Sequence, residues 1–362
     1  MKKILFALLI MVLVISACAT KPTEAPAEVP VAPAGAEEAA PAETIAPESA
    51  LKEKYELAFV IPGTDSQYWN QYCGTGLNNA VLDIEEKYGV DINVTLSGPT
   101  AEGETDKYLN ILESVIATKP DVIITATMQP DGTSPLIKQA ADQGIYVNLF
   151  SLGITGNEDS YGALYYCNQP EQGKLAAEEM VRQMDKMGIE KKGVVGMHLA
   201  TLVPILVEKM EMFRSTMKEL APEIEVLDTL YNENDAAKAQ ANVENQISTY
   251  GDQLIGIFAG NNLSGDGTVL AIRKAGLQGK IVAIAVDSDE LEIEGLKDGS
   301  LTGIVLQTPY AQAYQATYDA FEHLFKGYNP PNEVNLPASI VTLENMEDPE
   351  MQALLNPLIL KR

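Results

Sequence analysis

Tyr55–Ala80 reads YELAFVIPGTDSQYWNQYCGTGLNNA. Residues 57–61 are an unbroken apolar run of strand length, and Pro62-Gly63 stops it. From Tyr68 the spacing turns helical, with small residues at Gly74, Gly76 and Ala80. A strand that is apolar on both faces needs helices over both sides of its sheet. Tyr68 and Trp69, the latter the only tryptophan of the chain, stand at the turn between strand and helix.

The same alternation runs outward from this stretch. Strand-like runs at 92–96, 122–126 and 146–150 are separated by helical patterns at 105–118 and 133–143. A second set follows Cys167. Helical patterns at 171–187, 204–220, 236–250 and 263–275 are separated by strand-like runs at 194–197, 224–230, 254–259 and 281–286. Gly144, Gly188 and Gly276 fall where helices should stop. The pattern predicts an α/β protein with two doubly wound parallel-sheet domains. Ligands of such sheets bind beyond the carboxyl ends of the strands.

The ends and the composition narrow the function. Lys2 and Lys3 precede an apolar run from Ile4 to Ile15, and Ile15-Ser16-Ala17-Cys18 closes it. This predicts a secretory signal over residues 1–17. Cys18 fits a lipobox, in which it becomes the lipidated N-terminus; a chance Cys after an ordinary signal is the alternative. Residues 18–50 are Ala, Pro, Glu and Thr with few large apolar side chains, the composition of a flexible tether. The chain has 25 basic and 51 acidic residues, a net charge of −26. Residues 1–17 contribute +2 and residues 18–50 contribute −5, which leaves −23 for the rest. Nucleic-acid binding needs basic patches and is excluded as a class. With His198 and His323 the only histidines, and no CxxC motif, no metal site is expected. No GxSxG or phosphate loop points to an enzyme, and no cofactor is expected.

Four stretches carry a family resemblance. They are TDSQYWNQ at 64–71, YYCNQPEQGKLAAEEM at 165–180, IFAGNNLSGDGTVLAIRKAG at 257–276 and IVAIAVDSDELEIEGLKDGSLTGIVLQTP at 281–309. In this order, over residues 55–345, the chain resembles the type 1 periplasmic solute-binding proteins, in their ribose/galactose-like branch. The resemblance implies two lobes joined by a three-strand hinge, with crossings near Cys167, Gln307–Pro309 and Pro337–Ser339. It implies a first lobe of 51–166 plus 308–337 and a second of 167–307 plus 338–362. The implied protein is an exported monomer on the outer face of the cell membrane or in the periplasm. It captures a small neutral polar solute, a sugar or polyol, for the permease and ATPase of an importer. A ligand-sensing partner of a chemoreceptor or kinase, including one for a furanosyl quorum signal, is the alternative.

A sugar offers an apolar face of C–H groups and a belt of hydroxyls. The resemblance makes Tyr68 and Trp69 a stacking platform and makes Asn261, Asp287 and Gln307 hydroxyl partners. Phe150, Ser151 and Asn168 complete the implied ligand-binding set. Asn261 and Asp287 are equally placed to cap the helices that follow them. Ribose-like relatives clamp hydroxyls with an Asp–Arg pair, which would fall at Phe150–Ser151, and with a further Arg near Val207. None of the three is present. A less charged cleft is therefore expected, walled by Met128, Phe150, Met197 and His198, and closed to a uronate because a buried carboxylate needs a cation. Cys73 and Cys167 both fall near the implied hinge, where a disulfide and two isolated thiols are both open.

Overall fold

The computed structural model describes residues 51–362. The expected signal, the lipidated Cys18 and the tether lie outside the described residues. Two six-stranded sheets organise the chain. The first contains β1 (Lys54–Val60), β2 (Asp91–Ser97), β3 (Val122–Thr125), β4 (Tyr146–Phe150), β5 (Leu164–Tyr166) and, from late in the chain, β11 (Glu333–Asn335). Its order is β11-β5-β4-β3-β1-β2, with every pairing parallel. The second contains β6 (Gly193–Leu199), β7 (Ile224–Tyr231), β8 (Leu254–Ala259), β9 (Val282–Val286), β10 (Gly303–Leu306) and β12 (Ser339–Val341). Its order is β12-β10-β9-β8-β6-β7, and only β12 runs antiparallel to its neighbour.

The two sheets thus repeat one topology. In each, the first strand lies between the second and the third, so the winding direction reverses beside the first strand. The alternation along β1 explains why both faces are covered. Leu57 and Phe59 enter one core, while Ala58 and Val60 enter the core on the opposite face. In the second sheet Val282, Ile284 and Val286 face one core and Ala283 and Ala285 the other.

Helices α1 (Gly74–Tyr88), α2 (Thr105–Thr118) and α3 (Pro130–Asp142) flank the first sheet. Helices α4 (Gln169–Met187), α5 (Pro204–Leu220), α6 (Ala236–Tyr250), α7 (Asn262–Ala275) and α8 (Glu290–Asp298) flank the second. Helix α9 (Pro309–Lys326) returns to the first lobe, where Ala313, Ala316, Ala320 and Phe321 join the core under β1. The chain passes between the lobes after β5, after β10 and between β11 and β12.

One boundary differs from expectation. Residues 338–362 do not all belong to the second lobe. After α10 (Pro349–Leu355) the tail turns back, and the Leu360 carbonyl accepts from Asn79 Nδ2 at 2.8 Å, while Arg362 pairs with Asp83. Asn79 and Asp83 lie on α1, so the tail is a further connection between the lobes. Polar side chains on a helix face supply these contacts, and an apolar pattern carries no sign of them.

The seam between α1 and α9 depends on a missing side chain. A Cβ at Gly76 would stand 2.1 Å from the Tyr310 carbonyl oxygen. Backbone cannot yield as a side-chain tip can. Gly76→Ala should therefore lower stability by about 1–3 kcal/mol as an overpacking change. Urea denaturation of the variant checks this, and an unchanged midpoint would mean that the helices part without cost.

Candidate functional site

A cavity of about 370 Å³ lies between the carboxyl ends of the two sets of strands. This volume suits a small solute. Its first-lobe wall begins with an unusual turn. Gln67–Cys73 forms a π-helix before α1 takes over. Such wide turns are rare and concentrate at functional sites. Here the turn brings the consecutive Tyr68 and Trp69 to the same cavity. Their rings meet edge to face at 4.7 Å, and Trp69 is only 4% exposed. The Trp69 indole N–H donates to Glu102 Oε1 at 2.6 Å, and the Tyr68 hydroxyl lies 3.1 Å from Ser151 Oγ.

The second-lobe wall comes from the loops after β7, β8, β9 and β10. Asn234, Asn261, Asp287 and Gln307 line it. The capping question is settled by geometry. Asp289, not Asp287, caps α8, its Oδ1 accepting from the Glu292 amide at 2.9 Å. Asp287 instead takes a left-handed φ of 76°, and its Oδ1 accepts from Gln307 Nε2 at 2.7 Å. Asn261 is the N-cap of α7 by position, yet makes no side-chain cap bond. Its Oδ1 accepts from Ser264 Oγ at 2.5 Å.

Six of the eight expected ligand-site residues therefore share the cavity: Tyr68, Trp69, Ser151, Asn261, Asp287 and Gln307. Two do not. Phe150 is fully buried one layer back, with its ring 5.9 Å from Trp69 and 5.5 Å from Phe59. As the last residue of a strand it points into the core. Asn168 caps α4, its Oδ1 accepting from the Glu171 amide at 2.8 Å. Of the expected walls Met128 lines the cavity, whereas Met197 and His198 are buried in β6. His198 Nε2 lies 2.9 Å from Gln246 Oε1, and burial pushes the imidazole down to about 4. The possible disulfide is not formed, and the other open alternative holds: Cys73 and Cys167 are buried free thiols, and burial raises both, Cys167 to about 12.

The expectation of a less charged cleft is overturned by Lys209. It lies on α5, is 2% exposed and lines the cavity. Its one hydrogen bond is to Gln172 Oε1 at 3.3 Å. Burial pulls its ammonium down to about 8, against the opposing charge of Asp287. Asp287 is itself raised by burial, with Lys209 opposing. The sequence does hold a signal for Lys209. It falls on the apolar stripe of α5, between Leu206 and Met210 and four residues before Phe213. A lysine on a buried stripe needs a reason. Glu102 and Asn234 carry no such signal, because both sit in polar loops.

Lys209 also makes a pH prediction. Its folded pKa of about 8 lies below its ordinary 10.5. Between those values the unfolded chain holds a proton that the folded chain has released, so this group's contribution to stability rises with pH. Below pH 8 the buried ammonium is a full penalty. Lys209→Met removes this titration, so the stability of the variant relative to wild type should fall by about 1–3 kcal/mol from pH 7 to pH 10. Denaturant melts of both proteins at the two pH values measure it; a constant difference would refute the depressed titration.

Comparison with known proteins gives a consistent result. Residues 57–327 match the family described as periplasmic binding protein domain. The galactofuranose-binding protein YtfQ of Escherichia coli (strain K12) is 23% identical over 286 residues, covering 77% of this chain and 87% of that protein. A xylitol-binding protein of Mycolicibacterium smegmatis is 26% identical over 276 residues, covering 73% of this chain and 74% of that one. Among solved structures, a carbohydrate-transporter solute-binding protein of Agrobacterium radiobacter in complex with D-arabinose superposes with a TM-score of 0.75. It is 25% identical, covering 84% of this chain and 99% of that chain. These relatives are solute-binding proteins, not enzymes.

Proposed function

The chain belongs to the periplasmic binding protein family, and from that premise we propose that it is the receptor of an ABC-type importer, lipid-anchored through Cys18, that captures a small neutral sugar-like solute and presents it to a permease. One observation carries this reading. The aromatic pair Tyr68 and Trp69 of one lobe faces Asn261, Asp287 and Gln307 of the other across one small cavity. The rings suit the C–H face of a sugar and the polar groups suit its hydroxyls.

The unused hydrogen-bonding capacity favours a donor-rich ligand. Gln307 Nε2 is held by Asp287 and Gln169 Nε2 by the Cys167 carbonyl, which turns both Oε1 atoms into buried acceptors without partners. Ligand hydroxyls would satisfy them. The charge balance favours neutrality. Lys209 is the single basic residue of the lining, against Asp65, Glu102, Asp287 and Asp289. A ligand carboxylate would add a further negative charge to that set. The sugars and polyol named for the relatives support the same class.

A thermal-shift screen over neutral aldoses, polyols and the matching uronates tests the ligand class. A cognate neutral solute at a hundred times its Kd should raise Tm by about 5 °C, while the uronates leave it unchanged. Stabilisation by uronates alone would exclude the proposed class. The anchor has its own test: metabolic labelling with an alkyne fatty acid should mark the wild-type protein and leave Cys18→Ser unmarked.

A further inference from the structure

We infer that Glu102 is a positioning residue that latches the two lobes through Asn234 while it holds the Trp69 indole, so that one carboxylate couples the aromatic platform to closure of the cleft. Glu102 stands in the loop between β2 and α2 of the first lobe. Its Oε1 accepts from Trp69 Nε1 at 2.6 Å, and its Oε2 accepts from Asn234 Nδ2 at 3.0 Å. Asn234 stands in the loop between β7 and α6 of the second lobe. Among the described residues this is the one side-chain hydrogen bond that joins the lobes away from the hinge strands and the C-terminal tail.

Both partners are placed by their surroundings. Glu233 and Asn234 adopt consecutive left-handed conformations, with φ of 56° and 58°. Two such non-glycine residues in a row are strained, and strain of this kind persists where the neighbours over-determine it. Asn232 anchors the loop on Ser264 at 2.6 Å, and Asp235 caps α6. Across the cleft, a Cβ at Gly63 would come within 3.1 Å of Glu102 Cγ, so glycine there lets the acidic loop close down beside the platform. Two donors from different lobes on one half-buried carboxylate make the arrangement cooperative. Loss of either donor leaves the other bond on a carboxylate that is less well compensated.

The latch rests on the receptor reading only in identifying the closed form with the loaded one, and its test needs no ligand. Trp69 is the sole tryptophan, so acrylamide quenching reports the exposure of this one ring. Asn234→Gly keeps the left-handed backbone accessible and removes only the amide. Glu102→Gln keeps the shape but replaces one acceptor oxygen by a donor, so one of the two bonds must break. Each variant should lower the closed-to-open ratio about tenfold, equivalent to about 1.4 kcal/mol. The ligand-free protein should then show stronger quenching of Trp69 and a larger radius of gyration by small-angle X-ray scattering. Asn234 makes no hydrogen bond to Trp69, so a local effect on the indole does not reproduce its result. Quenching in Asn234→Gly equal to wild type overturns the latch, even where Glu102→Gln exposes the ring. Neither outcome bears on whether a sugar binds, which the thermal-shift screen decides separately.

Discussion

Asp287→Ala should lose ligand affinity by two to three orders of magnitude and destabilise the unliganded fold as well. The carboxylate is the acceptor for Gln307 Nε2 at 2.7 Å and the opposing charge for Lys209. Removing it leaves a buried ammonium without its counter-charge and a buried amide without its acceptor. The amide left without its acceptor costs about 1–3 kcal/mol, and the loss of the charge opposing Lys209 adds to it. Alanine also tolerates a φ of 76° poorly. Asp287→Asn separates these effects. Asparagine accepts the left-handed backbone and keeps one oxygen acceptor, so it loses mainly the charge, and its cost should be the smaller. Lys209→Met in the Asp287→Ala background should restore part of the lost stability, because the stranded cation is then gone. Calorimetric titration with the solute found by screening, beside urea melts, measures both quantities. Wild-type affinity in Asp287→Ala would remove Asp287 from the ligand's partners.

Trp69→Ala should cost about 3–5 kcal/mol through packing before any ligand contact is counted. The indole fills the space between Tyr68 and Phe150, with ring centres at 4.7 and 5.9 Å. Truncation also leaves Glu102 Oε1 without its donor. In the ligand-bound state the stacked face is lost in addition, so affinity should fall along with the melting temperature. Trp69→Phe divides the two roles. It keeps a flat ring against Phe150 and drops only the N–H bond to a charged acceptor, worth about 1.5–3 kcal/mol. Its affinity should fall between those of wild type and alanine. An alanine variant that melts early yet binds the solute as well as wild type would show that the indole is core filling and not a platform.

The lining of the cavity was largely readable in the chain. Tyr68, Trp69, Asn261, Asp287 and Gln307 each follow a strand directly or by a short turn, and in a doubly wound sheet those positions converge whatever the side chains are. Phe150 and Asn168 had equally good positions but a different outcome. One is the last residue of its strand and points inward; the other is consumed by the α4 cap. Position along the chain places a residue at the rim of a sheet, but the direction of its side chain depends on neighbours in three dimensions.

Alternation of apolar strands with amphipathic helices is a local property, written every few residues. The amino-acid sequence by itself therefore determined two parallel-sheet lobes, the ends of their strands and the aromatic turn at the mouth of the first. Tertiary structure alone decided the electrostatics of the cleft. Lys209 becomes the cavity's cation only because α5 packs against α4 and turns that face toward Asp287. Glu102 meets Asn234 across 132 positions of sequence. Cys73 and Cys167 remain buried free thiols. Each of these outcomes rests on where a few polar atoms point after the lobes have packed. Hydrogen bonds and buried charges act over a few ångströms, and no periodicity in the chain records which distant residues will come within that range.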